Sequence, residues 1–85
     1  MSDFNPNFLK RLVLGCYLSR RPKHTNPRRD IWNVHQPNGM VYARLDSYTA
    51  IEMLNQGIIE AVDQPNILGE QTYRLTEFGM RYARA

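Results

Sequence analysis

Gly57 divides the stretch that most limits how this chain can fold. Ala50, Ile51 and Leu54 before it, and Ile58 just past it, recur at helical spacing, which puts them on one side of a helix. Glycine at a helix end takes up the left-handed conformation that closes the last turn. After it, Ile58–Val62 is short and β-rich, and Asp63–Gly69 holds Pro65, Asn66 and Gly69, the residues of a loop. Gln71–Leu75 returns as a strand with Tyr73 and Leu75 on one face. Thr76 then caps a last helix, with Glu77 in its first turn where an anion is favoured. Asp46 or Ser47 caps the helix that begins the stretch, and Thr49 with Glu52 forms an alternative capping pair. A helix across a two-stranded ribbon, followed by a second helix, is the arrangement this order predicts. Phe78 and Tyr82 lie four apart and are expected to pack that last helix on the body.

The front of the chain opens with Asn5-Pro6, a capping residue followed by a proline that tolerates the first helical position. Phe8, Leu12 and Cys16 fall four apart, as do Leu9, Val13 and Tyr17. With Leu14 and Leu18 they predict a broad apolar helix of about three to four turns. Gly15 lies inside it, for close approach of a neighbour, and Arg20, Arg21 and Pro22 end it. Arg20–Asp30 is read as a loop: it has two prolines, five basic residues and no large apolar side chain. Ile31–Val34 and Met40–Leu45 then read as strands around Gln36-Pro37-Asn38-Gly39, because Asn-Gly supplies the positive φ angles of a tight hairpin. Trp32 and Val34 share one face, and Trp32 is expected to anchor the core. Val41, Ala43 and Leu45 share another.

At 85 residues the chain makes one domain with one small core. Its start lacks the basic and apolar regions of a secretory signal, and no apolar run reaches bilayer length. One cysteine cannot form an internal disulfide, so a cytoplasmic location is expected. The net charge of +3 is unevenly spread. Residues 1–30 carry seven bases against two acids, and residues 31–85 carry four against six. The positive field therefore belongs to the front.

Leu54-x-x-Gly57-Ile58-Ile59, a hairpin, and Tyr73-Arg74-Leu75-Thr76-x-x-Gly79 together resemble the end of a winged-helix domain. The resemblance covers about 35 residues, and similar endings occur in small bacterial and phage proteins. It implies that the helix before Gly57 is a recognition helix and the hairpin after it a wing. The whole chain then reads as an α+β, single small winged-helix-like domain in the order α-β-β-α-β-β-α. A hairpin stands where a full winged helix has another helix.

The resemblance implies a nucleic-acid-binding, transcriptional-regulator-like protein with duplex DNA as partner. Phosphates would be held by Arg20, Arg21, Lys23, Arg28 and Arg29, and bases read by Ser47, Thr49, Asn55 and Gln56. The recognition helix carries Glu52 and no base, so the loop, or a homodimer, must supply the grip. The alternative is a protein-interaction module, such as a phage- or plasmid-encoded inhibitor of an acidic host protein or nucleoprotein complex. Tyr48 and the wing-tip pair Ile67 and Leu68 would make that contact. Aromatic residues, Tyr17 and Trp32 among them, are candidates for stacking single-stranded bases, though a small core claims most of them; Tyr42 and Tyr48 are expected at the surface. Cys16, His24 and His35 lack the paired spacing of a metal site, and no cofactor, membrane contact or enzymatic activity is expected.

Overall fold

A computed structural model describes residues 4–22 and 30–84 of the chain. The order is α1 (Pro6–Val13), β1 (Tyr17–Arg21), β2 (Ile31–His35), β3 (Val41–Leu45), α2 (Ser47–Asn55), β4 (Ile59–Ala61), β5 (Gln71–Leu75) and α3 (Glu77–Arg84). The α+β class is as expected, but the order α-β-β-α-β-β-α lacks a strand that is present here. In place of two separate hairpins there is one five-stranded sheet, β3-β2-β1-β5-β4, antiparallel throughout.

The added strand is β1, and it is central. The expected long first helix stops at Val13. Gly15 takes φ 112°. The amide of Gly15 donates to the Leu12 carbonyl and that of Cys16 to the Arg11 carbonyl. This pair of bonds satisfies two orphan carbonyls and turns the chain out of the helix. Gly15 is therefore a helix stop, not a helix interior residue. Arg20 and Arg21 lie in β1 and not at a helix end.

The other stop and caps are as expected. Gly57 has φ 74°, and the amides of Gly57 and Ile58 donate to the carbonyls of Leu54 and Met53. Asp46 accepts from the Thr49 amide at 2.9 Å, and Asn5 from the Asn7 amide at 2.9 Å. The Thr76 hydroxyl accepts from the Gly79 amide at 2.8 Å and reaches the Gly57 carbonyl at 2.5 Å. One side chain thus caps α3 and ties it to the end of α2. Gly79 lies so close to the Ile58 carbonyl that a Cβ there would overlap it.

The register sorts the strand residues into two faces. Leu18 stands opposite Val34 and Tyr73, and Ile59 opposite Leu75. Leu18, Val34, Trp32, Tyr73 and Ile59 are buried, together with Leu9 and Leu12 of α1 and Ala50 and Met53 of α2. The helices therefore cover this face. Leu54 and Leu75 are partly buried against the same core, and Ile58 is within it. Phe78 departs from expectation: it is exposed, and Tyr82 alone packs inward, edge to face with buried Phe4. The β2–β3 register shifts after Val34, so that His35 faces Val41. The expected common apolar face of Val41, Ala43 and Leu45 is broken there: Val41 and Ala43 are exposed, and Leu45 is half-buried. No helix among the described residues is long and apolar enough to cross a membrane.

Candidate nucleic-acid interface

On the opposite face the strands present Tyr17, Ser19 and Arg21 of β1, and Ile31, Asn33 and His35 of β2. Beyond them stand Thr72 and Arg74 of β5, Glu60 of β4 and Arg44 of β3. None of these residues is buried. The alternation of side chains along each strand has placed apolar residues under the helices and polar or aromatic ones here.

Across the three middle strands, at the end where β1 begins and β2 finishes, lies a row of three planar groups. Tyr17 and His35 are paired across β1 and β2, and their rings stack with centroids 4.9 Å apart and planes 8° apart. Arg74, from β5, sets its guanidinium 4.9 Å from the Tyr17 centroid, a favourable cation–π distance. His35 is fixed by two further bonds. Its Nδ1 lies 3.0 Å from the Gly39 carbonyl, which can only accept, so Nδ1 is assigned the proton. Nε2 of the neutral ring is then an acceptor, and the Ser19 hydroxyl donates to it at 2.7 Å. The histidine is held upright by its neighbours before any ligand arrives.

The β4–β5 loop borders this row. Asn66 organises it: its Oδ1 accepts from the amides of Leu68 and Glu70, each at 2.9 Å, and its Nδ2 donates to Glu70 at 3.1 Å. The side-chain amide of Gln71 donates to the Asp63 carbonyl. Between the loop and the sheet is a cleft of about 350 Å³, at the small end of ligand-sized clefts. Tyr17, Ser19, His35 and Thr72 form its sheet side.

The residues expected from sequence to grip phosphate divide. Arg20 points to the helix-covered face. Its Nε lies 2.5 Å from Asp30, whose side chain is 2% exposed. Burial lowers the pKa of Arg20, but its hydrogen bonds to Tyr73 and Asp30 outweigh that and raise the value overall. Arg20 is thus committed to a buried acid, which corrects its reading as part of a solvated gripping loop. Arg21 is exposed and lies 3.4 Å from Glu70. Lys23, Arg28 and Arg29 lie outside the described residues, as does His24. Cys16 is buried in the core.

The polar face of α2 is largely engaged. Ser47 donates to the Asp30 carbonyl at 3.2 Å, and the Thr49 hydroxyl to Asp46 at 2.7 Å. Those bonds from Thr49 hold Asp46 below the usual carboxylate range. Gln56 donates to Glu52 at 2.9 Å, and Asn55 is exposed. Tyr48 is 68% exposed, Leu68 66% and Ile67 fully exposed at the loop tip; Tyr42 is also exposed, beneath Arg11.

Ser19, Asn33, His35 and Arg44 were not singled out from the sequence as binding residues. The signal for Ser19 is strand alternation in β1, which the helical reading of that stretch concealed; alternation in β2 and β3 places Asn33, His35 and Arg44. Comparison with protein-family profiles, with curated proteins and with solved structures finds no match to this chain.

Proposed function

We propose that this chain binds single-stranded nucleic acid on the helix-free face of its sheet. The observation that carries this reading is the His35–Tyr17–Arg74 row across the three middle strands of that face. Unpaired bases bind proteins by stacking on aromatic rings and guanidinium planes, while cations around them hold phosphates. Arg74 ends the row 4.9 Å from the Tyr17 centroid and is exposed, so its guanidinium is available for a base to stack on. Arg44 and Arg21 supply positive charge across the strands, against Glu60. Reading of a duplex by α2, the form expected from the winged-helix resemblance, would rest on Asn55, because Ser47, Thr49 and Gln56 have local partners.

The test is fluorescence anisotropy with a labelled single strand and its duplex at two salt concentrations. The single strand is expected to bind more tightly, with log K falling by about 0.7 per phosphate held for each decade of salt. Arg74→Ala should weaken binding to every sequence by removing a stacking plane, and make that slope shallower by no more than about 0.7. A folded protein that binds neither strand nor duplex at low salt overturns the proposal.

A second reading, contact with an acidic protein or nucleoprotein complex, is favoured by the exposed pair Ile67 and Leu68 on an ordered loop. Changing both to Glu should release such a partner while leaving oligonucleotide binding intact.

A further inference from the structure

We infer that the cleft between the sheet and the β4–β5 loop accepts one unpaired base, and that this base is guanine. The inference rests on the single-strand reading above and gives it a specificity. The argument begins with Asp63, on the rim of the cleft. Its backbone carbonyl is taken by Gln71, but no described residue donates to its carboxylate. A free carboxylate repels phosphate, so this part of the surface does not follow the backbone of the strand. It accepts from N–H groups, which in a nucleic acid belong to the bases.

Glu70, also at the cleft, is different: Asn66 and Arg21 occupy it. That leaves Asp63 as the acceptor on offer. The Watson–Crick edge of guanine presents two adjacent donors, N1–H and the N2 amine, which match the two oxygens of one carboxylate. Adenine and cytosine offer an amine beside a ring nitrogen that accepts, and that nitrogen would face the carboxylate lone pairs. Thymine and uracil offer one N–H between two carbonyls. The neighbouring Gln64 has a side-chain amide without a described partner. Its N–H₂ is the complement of guanine O6, the next atom along the same edge. Tyr17 and His35 give the cleft an aromatic wall. The loop is already ordered by Asn66, so little is spent arranging it on binding. A basic protein side chain would also suit Asp63, but Lys and Arg carry no acceptor for the amine of the adjacent Gln64, whereas guanine O6 does.

The experiment compares an oligothymidine about ten nucleotides long, within the span of a single-strand site on a small domain, with the same oligomer carrying one central guanine. The guanine oligomer is expected to bind about tenfold more tightly. Inosine in its place, which lacks the N2 amine, should lose most of that gain. Asp63→Asn should abolish the preference and leave the all-thymidine affinity equal or higher; Asp63 is exposed, and its backbone bond to Gln71 survives the change. Equal binding of the two oligomers by the unaltered protein overturns the guanine assignment while leaving the stacking face in place. A preference retained in Asp63→Asn overturns the role of Asp63. An arginine-rich peptide that binds in an Asp63-dependent way, with no guanine preference, assigns the cleft to a basic protein instead. If no oligomer binds at low salt, both this inference and the reading beneath it fall.

Discussion

Two adjacent rows of the sheet can be compared directly. Leu18, Val34 and Tyr73 form one, across β1, β2 and β5, and lie under the helices. One residue away along each strand, Tyr17, His35 and Arg74 form the other and face outward. The rows share strands and hydrogen bonds and differ only in side. Because the strand period is two, whatever fixes the first row in the core also fixes the second outside it. The apolar row holds the stability, and the outward row is free to carry chemistry. A slip of one residue would exchange them, so core packing is what positions the stacked rings.

Substitutions on each side sharpen the contrast. The largest effect is expected at Gly79, where Ala would push a methyl into the Ile58 carbonyl. Overpacking against backbone should cost about 3 kcal/mol or more, read as a lowered denaturant midpoint. Next is Arg20→Ala, which leaves the Asp30 carboxylate buried without its cation. A loss of about 2–3 kcal/mol is expected, and any loss of nucleic-acid binding should follow the unfolded fraction. If Arg20→Ala instead weakens binding with the fold intact, the division between the faces is wrong at that residue.

Asp46→Ala removes a helix cap and should cost about 1 kcal/mol near neutral pH. The folded state lowers the pKa of Asp46 beneath its ordinary value of 3.8. Its ionic contribution is therefore present above that value and lost as pH falls through the lower, folded one. The gap between the two proteins in a melting series should narrow on strong acidification. Tyr17→Ala is expected to have the smallest effect on stability, about 0.5–1 kcal/mol for a cross-strand pair. Its binding of single strands should nonetheless fall about two- to fivefold, because Arg74 loses the ring that supports its guanidinium. A large stability loss with unchanged binding would make Tyr17 a core residue in all but position.

The same helix-ending device occurs at Gly15 and Gly57, yet only one was legible. After Gly57 comes Ile58–Val62, a short β-rich run closed by the Asp63–Gly69 loop, which leaves no room for the helix to continue. After Gly15 come Cys16, Tyr17 and Leu18, and these continue the four-residue rhythm of Phe8–Leu12 and Leu9–Val13. Periodicity therefore carried the helix through its own stop. The error cost the central strand and, with it, the outward row that contains Tyr17 and Ser19. The Gln36–Gly39 hairpin, the Asp46 and Thr76 caps and the core position of Trp32 were all readable, because local turn and cap chemistry decides them. The pairing of Arg20 with Asp30 was not, since it depends on which face of a distant strand each residue occupies.

β1 lies near the start of the chain, and one of its two partners, β5, lies near the end. A ribosome delivers them in that order, so the middle of the sheet stays open on one side until Gln71–Leu75 has been made. Until then Leu18 has no Tyr73 opposite it, and the nascent chain exposes a strand edge ready to join with others. Contacts that span so much of the chain also favour slow closure. Premature termination before Gln71 would remove β5 and α3 together, leaving a product with its central strand half paired and a strong tendency to aggregate.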